Sequence, residues 1–143
     1  KQDGLGLHLL PLERAGRLPH LLVECRYENH LLTWVVDTGA EVTVMASEST
    51  DRLGIPSVAS RSKIIDASGD RASVRSAVLH NLLFGRLLVH EFQVAVTPLG
   101  PIRRTFKDRS GRPVDGIIGM DFLEKSSALL DTASRMLYLG SSP

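Results

Sequence analysis

The chain has 143 residues, 43% of them apolar and 23% charged, and a formal net charge of +1. That length carries one domain with a real core, and the composition excludes a disordered chain. The charge balance gives no reason to expect nucleic acid or a membrane surface as partner, and the arginines between positions 102 and 112 have only Phe106 interleaved among them.

In chain order, residues 1–10 are glycine-rich and then apolar, which predicts a loose start and a short strand. Residues 13–19 contain Gly16 and fit a turn. Residues 21–27 carry the mixed alternation of a strand. Cys25 lies in it, between Val23 and Tyr27, and reads as a packed thiol. A single cysteine excludes a disulfide framework and a cysteine-based zinc site. Glu28-Asn29-His30 fits a hairpin tip, and residues 31–37 a returning strand rich in β-formers, with Trp34 packed in the core. Thr38-Gly39-Ala40 breaks that strand, and residues 42–45 resume extended structure. Ser47 is the expected N-cap of a short helix ending near Leu53, with Gly54 as its stop.

Two β-type segments, residues 63–65 and 72–79, flank Asp66-Ala67-Ser68-Gly69-Asp70-Arg71, which reads as a hairpin tip with Asp66 and Asp70 in solvent. Strand-type sequence continues to position 84, turns at Gly85 and returns over residues 87–96. Residues 97–113 hold three prolines, two glycines and many charges, and are read as a long surface loop. Then comes Asp115-Gly116-Ile117-Ile118-Gly119, with Asp115 as a turn residue and Asp121 as the first residue of a short helix. Residues 127–139 fit a terminal hairpin. Many short strands with one or two short helices predict a mostly β, barrel-like or sandwich-like fold. No apolar run approaches the length of a membrane span. No signal peptide is visible, and the start at Lys1 rather than Met fits a soluble domain of a longer, processed or membrane-anchored protein. The compartment stays open.

One feature concentrates chemistry. The apolar residues 31–36 deliver Asp37 into a Thr-Gly turn, and a second apolar patch follows at once. A carboxylate between core-type segments is costly unless it is paired or hydrogen-bonded. Two carboxylates in contact share one proton, so the pair holds a general base and a general acid together. Such a pair can activate water for hydrolysis with neither metal nor cofactor. The chain offers one such Asp. Asp131-Thr132-Ala133 is a near-copy, but Ala replaces Gly, it sits in a turn, and only ten residues follow. The second carboxylate is then Asp37 of another copy, which a two-fold homodimer places beside the first. The five histidines have no metal-ligand spacing, and no serine sits in a Gly-x-Ser-x-Gly elbow.

On Asp37-Thr38-Gly39-Ala40, the segment around Ala67-Ser68-Gly69 about thirty residues later, and Gly116-Ile117-Ile118-Gly119, the chain resembles the retropepsin-like aspartic proteases over most of residues 20–140. Gly119-Met120-Asp121-Phe122-Leu123 looks more like the cellular single-domain members, bacterial and Ddi-type, than the viral enzymes. The resemblance implies an acid-protease β-barrel with one lobe per chain, spanning residues 1–143 as a single domain. It implies an aspartic endopeptidase with Asp37 catalytic in each subunit of a homodimer. Thr38 would tie the two active-site loops together, with Gly39 and Ala40 completing the loop. Ala67, Ser68 and Gly69 would form the flap tip over an extended peptide or unfolded segment. Ile117, Ile118 and Gly119 would support the active site. The flap tip departs from the family by lacking the multiple glycines of viral flaps and the tyrosine of pepsin-type flaps. Residues 97–113 are longer than the viral connection, and their basic side chains could rim the cleft. The competing expectation is a catalytically silent peptide-binding or dimerisation module on the same fold.

Overall fold

The computed structural model describes residues 7–16, 18–59, 64–65, 71–72 and 74–140. In chain order the elements are β1 (Leu7–Pro11), β2 (Glu13–Arg14), β3 (Leu21–Tyr27), β4 (His30–Val36), β5 (Val44–Ala46), α1 (Ser47–Leu53), β6 (Val58–Ala59), β7 (Ile64–Ile65) and β8 (Arg71–Ala72). They continue with β9 (Arg75–Phe84), β10 (Leu87–Thr97), α2 (Gly100–Ser110), β11 (Gly116–Ile118), α3 (Met120–Lys125), β12 (Leu129–Asp131) and β13 (Met136–Gly140). The hairpins expected around Glu28, Gly85 and Ser134 all form.

The largest sheet runs β2-β3-β4-β11-β5-β10-β9-β6, and β3 also pairs with β9. That extra pairing closes β3, β4, β11, β5, β10 and β9 into a six-stranded barrel, which removes the exposed edges of the central strands. A second sheet, β1-β13-β12, closes one end of the core through Leu10, Leu137 and Leu139. The short strand β11 threads between β4, to which it is parallel, and β5, to which it is antiparallel. Gly116 makes that insertion possible. A Cβ there would lie 2.3 Å from the Val44 carbonyl oxygen and 2.5 Å from the Trp34 ring.

The core centres on an aromatic cluster. Phe92 meets Phe122 edge-on at 4.9 Å between ring centroids and Trp34 at 5.4 Å, and Phe84 stacks on Phe122 at 5.4 Å. Trp34 is fully buried and its Nε1–H donates to Cys25 Sγ at 3.2 Å, so the indole is satisfied as well as packed. In β9 the inward set changes parity at Asn81, which has φ +59° and sits 3.3 Å from His90 Nδ1 across the hairpin. Ala77 and Leu79 point in before it, Leu82 and Phe84 after it. This lets one hairpin serve both the barrel wall and the end sheet.

Three expectations need correction. The described residues hold three helices, because residues 97–113, read as a loop, contain α2. The prolines and glycines there punctuate the helix rather than break it. Pro98 lies before it, Pro101 lies in its first turn where its missing N–H costs nothing, Gly111 closes it at φ +78°, and Pro113 follows. Ser47 is the first helical residue of α1, not its cap. Ala46 takes the cap position without a side-chain bond, because β5 pairing already holds the entering chain. Likewise α3 begins at Met120 with Gly119 as its cap, one residue before Asp121.

Packing explains why α2 forms. Leu32, Trp34 and Val36 of β4 face the barrel core, while Val35, on the opposite face, joins Ala15, Leu22, Val114 and Phe106 in a second cluster. Phe106 is the buried residue of α2, so the helix is the lid of that cluster. Its C-terminal end lies directly on Gly16, where a Cβ would come 2.4 Å from the Arg109 carbonyl oxygen. Arg112 then pins the segment by ion pairs to Glu13 and Glu24 and a 3.1 Å hydrogen bond to Thr33 Oγ1.

Candidate active site

Asp37 follows directly on β4, and its placement is built from both neighbours of that strand. Its backbone N–H donates to the Ile118 carbonyl at 3.0 Å, continuing the β4–β11 ladder by one rung. The chain then turns, with Ala40 N–H donating to the Asp37 carbonyl at 3.2 Å and Gly39 N–H to Asp37 Oδ1 at 2.9 Å. A side chain at Gly39 would press on that carboxylate oxygen, at 3.2 Å from the new Cβ. Asp37 is half-buried, and Thr38 and Gly39 are exposed. The Thr38 hydroxyl has no hydrogen-bond partner among the described residues.

The loop after Asp37 is clamped from the far side by α3. Met120 and Asp121 N–H groups donate to the Ala40 and Glu41 carbonyls at 2.8 and 3.1 Å. Asp121 accepts from Thr43 Oγ1 at 2.7 Å, Thr43 N–H at 3.1 Å and Phe122 N–H at 2.7 Å, and Thr43 Oγ1 in turn accepts Gly119 N–H at 3.1 Å. Gly119 has no room for a side chain: a Cβ would lie 2.6 Å from the Val42 carbonyl oxygen and 2.8 Å from that of Ala40.

Asp115 does more than turn the chain. It is buried, and accepts Thr33 N–H at 2.9 Å, Ser49 Oγ at 2.7 Å and Arg52 at 3.0 Å. One carboxylate thereby ties β4, α1 and the entry to β11 into a single unit beneath Asp37. Asp131, the near-copy, is an exposed turn acid. Hydrogen bonds from the side chain and backbone of Ser134, with a further one from Ala133 N–H, hold its carboxyl below the usual carboxylate range. Cys25 is the opposite case: burial pushes its thiol up to about 12, against the lowering effect of the Trp34 hydrogen bond and with a small addition from the Asp115 charge.

Asp37 opens on a cavity of about 370 Å3 lined by His20, Val35, Asp37, Pro101, Ile102, Thr105, Phe106 and Ile117. Of the expected site residues, Asp37 and Ile117 meet in this cavity, Thr38, Gly39 and Ala40 form the adjoining turn, and Ile118 and Gly119 hold that turn from behind. The expected flap tip, Ala67, Ser68 and Gly69, lies outside the described residues; β7 and β8 on either side of it pair antiparallel, Ile64 with Ala72 and Ile65 with Arg71. The sequence reading missed the structural roles of Asp115 and Asp121 and the contribution of α2 and His20 to the cavity wall. A signal for Asp115 was present: like Asp37, it is an acid set in an apolar run.

Chemically, the cavity supplies one carboxylate, held by a single N–H and open to solvent on one side. No second acid lines it among the described residues. Among the described residues no group of three or more His, Cys, Asp or Glu is placed to hold a metal ion, and no helix is long and apolar enough to cross a membrane.

The site can be set beside known proteins. A family model described as aspartyl protease matches residues 23–122. Human protein DDI1 homolog 1 is 24% identical over 128 residues, covering 90% of this chain, and the bovine protein of that name is 25% identical over the same length. The chain spans about 30% of the length of these relatives. Among solved structures, a retropepsin-like aspartic protease from Rickettsia conorii superposes with a TM-score of 0.63 at 20% identity, over 95% of this chain and 91% of that one. The retroviral protease-like domain of Ddi1 from Leishmania major gives 0.54 at 18% identity, over 89% and 97%. The EIAV protease, solved with the inhibitor HBY-793, gives 0.55 at 17% identity, over 79% and 91%. The fold is therefore retropepsin-like.

Proposed function

The chain belongs to the aspartyl protease family, and from that premise we propose that it is an aspartic endopeptidase, working as a homodimer in which each subunit contributes Asp37. The observation that carries this reading is the Asp37 turn. A half-buried carboxylate is fixed by Ile118 and Gly39 at the edge of an open cavity whose described lining residues include no second acid. Peptide hydrolysis without a covalent intermediate needs a base for the water and an acid for the carbonyl oxygen and then the leaving amine. A lone carboxylate supplies one of these at a time. Two Asp37 groups across a two-fold axis supply both, because close carboxylates share one proton.

In this reading residues 1–143 act as one domain, and Thr38, exposed and without a hydrogen-bond partner among the described residues, meets its counterpart across the axis. Ile117, Ile118 and Gly119 keep the turn in place, and Ala67, Ser68 and Gly69 form the tip of a flap. The substrate is an extended peptide or an unfolded protein segment that adds as a strand. The test is cleavage of a peptide library by wild type and by Asp37→Asn at several protein concentrations. Cleavage by wild type alone, with specific activity falling on dilution, supports the proposal. Equal cleavage by both proteins refutes the mechanism. Peptide binding without turnover by the wild type favours the silent module.

A further inference from the structure

We infer that α2 and the Asp37 cavity together form one recognition surface for a peptide carrying an apolar side chain with acidic residues close to it. The inference rests on the protease reading for its substrate, but on different observations.

The two faces of α2 are chemically distinct. Pro101, Ile102, Thr105 and Phe106 line the cavity that Asp37 opens on, and with Val35 and Ile117 they make it mainly apolar. The other side of the helix carries Arg103, Arg104 and Lys107 against the one acid Asp108, and Arg109 follows one turn beyond Thr105 and Phe106 at the C-terminal end. None of these four cations forms an ion pair among the described residues, whose three ion pairs belong to Arg52 and Arg112. Arg104, Lys107 and Arg109 are exposed. Arg103 is half-buried, and its Nε is screened from solvent with no acceptor. Glu48, on the neighbouring helix, accepts Leu99 N–H at 3.1 Å and makes no ion pair with Arg104. Arg103 and Lys107 stand four apart, where like charges repel on a helix unless an anion joins them.

An acidic segment of the substrate supplies that anion in the right place. Eleven residues of helix are about 16 Å long, the length of roughly five residues of extended peptide. A peptide with one apolar side chain in the cavity therefore passes the cationic face within about five residues of that side chain. The adjacency to the cavity favours a peptide over a nucleic acid as the occupant. Three exposed ion pairs together amount to about a tenfold gain in affinity at low salt, and screening removes most of it at high salt.

The test uses Asp37→Asn, so that binding is read without cleavage. Two fluorescent peptides share an apolar centre, one flanked by glutamates and one by glutamines, and anisotropy gives their affinities. The glutamate peptide is expected to bind about tenfold more tightly at low salt, with the difference lost at high salt and in Asp37→Asn carrying R104Q, K107Q and R109Q. Equal affinities, or a difference that survives in the charge variant, would overturn the inference. So would a single-stranded oligonucleotide that binds more tightly than the glutamate peptide. Cleavage by wild type separates the two readings. If it cuts the glutamine peptide while both peptides bind equally, only the inference fails. If the glutamate peptide binds more tightly and neither is cut, only the endopeptidase reading fails.

Discussion

Gly119→Ala probes the architecture under Asp37 at a single atom. Gly119 has φ −103° and ψ −174°, extended backbone that alanine adopts freely, so the cost of the substitution is steric. The new Cβ would sit 2.6 Å from the Val42 carbonyl oxygen, 2.7 Å from the Val42 carbonyl carbon and 2.8 Å from the Ala40 carbonyl oxygen. Contacts at van der Waals distance are about 3.5 Å, so the backbone must separate by roughly 0.7 Å or more. These atoms cannot yield independently. Ala40 and Glu41 carbonyls are bound by Met120 and Asp121 N–H groups, and Thr43 is clamped by Asp121. Overpacking costs about 1–3 kcal/mol, and weakening one or two of those hydrogen bonds adds about 1 kcal/mol each. The expected loss is therefore about 2–5 kcal/mol. Urea unfolding with an unchanged slope measures it. Gly54→Ala is the control: its φ of +67° strains alanine, but no atom lies within 4 Å of the new Cβ, so a loss of about 1 kcal/mol is expected. If Gly119→Ala is no more destabilising than Gly54→Ala, the claim that α3 and β11 fix the Asp37 turn by close contact is wrong. On the protease reading, a displacement of this size at Asp37 also lowers kcat/KM by about a hundredfold.

Asp115→Ala removes a buried acceptor from Thr33, Ser49 and Arg52, and a loss of about 3 kcal/mol is expected, with Asp115→Asn costing less; thermal unfolding of the pair reads the difference. For Cys25 the native thiol titrates near 12 while the unfolded thiol titrates near 9, so the unfolded state releases its proton first. This contribution to stability is complete below about pH 9 and declines between pH 9 and 12, and Cys25→Ala should flatten that part of the stability profile. The same burial predicts that thiol reagents label Cys25 at neutral pH only after denaturation. Phe106→Ala removes the ring that seats α2 on Val35 and Val114, at a cost of about 3 kcal/mol, and amide exchange over Gly100–Ser110 should accelerate before that of the barrel strands.

Local rules made the strands legible. Residues 21–37, with Glu28 at the tip, read directly as a hairpin because β-branched and aromatic residues alternate around a turn. Asp37-Thr38-Gly39 and Gly116-Ile117-Ile118-Gly119 were found separately, and their meeting in the fold is the β4–β11 pairing, which no local pattern states. Residues 97–113 misread as a loop because three prolines and two glycines outweighed an apolar signal of only Ile102 and Phe106. The missing clue lay elsewhere in the chain. Leu32, Thr33, Trp34, Val35 and Val36 form a continuous buried run rather than an alternating one, and such a strand needs cover on both faces. α2 is that cover. The roles of Asp115 and Asp121 depend on partners 63 to 82 positions away, beyond what local reading reaches.

The proposed pairing of two Asp37 groups is tested most directly by mixing. Wild type and Asp37→Asn are unfolded together, refolded in varied ratios at fixed total concentration, and assayed on a peptide that wild type cleaves. If two Asp37 groups are needed, only dimers with two wild-type subunits work, so activity follows the square of the wild-type fraction and an equal mixture retains about one quarter. Activity proportional to the wild-type fraction, with about half retained in the equal mixture, would contradict the account, because it would mean that a single Asp37 suffices.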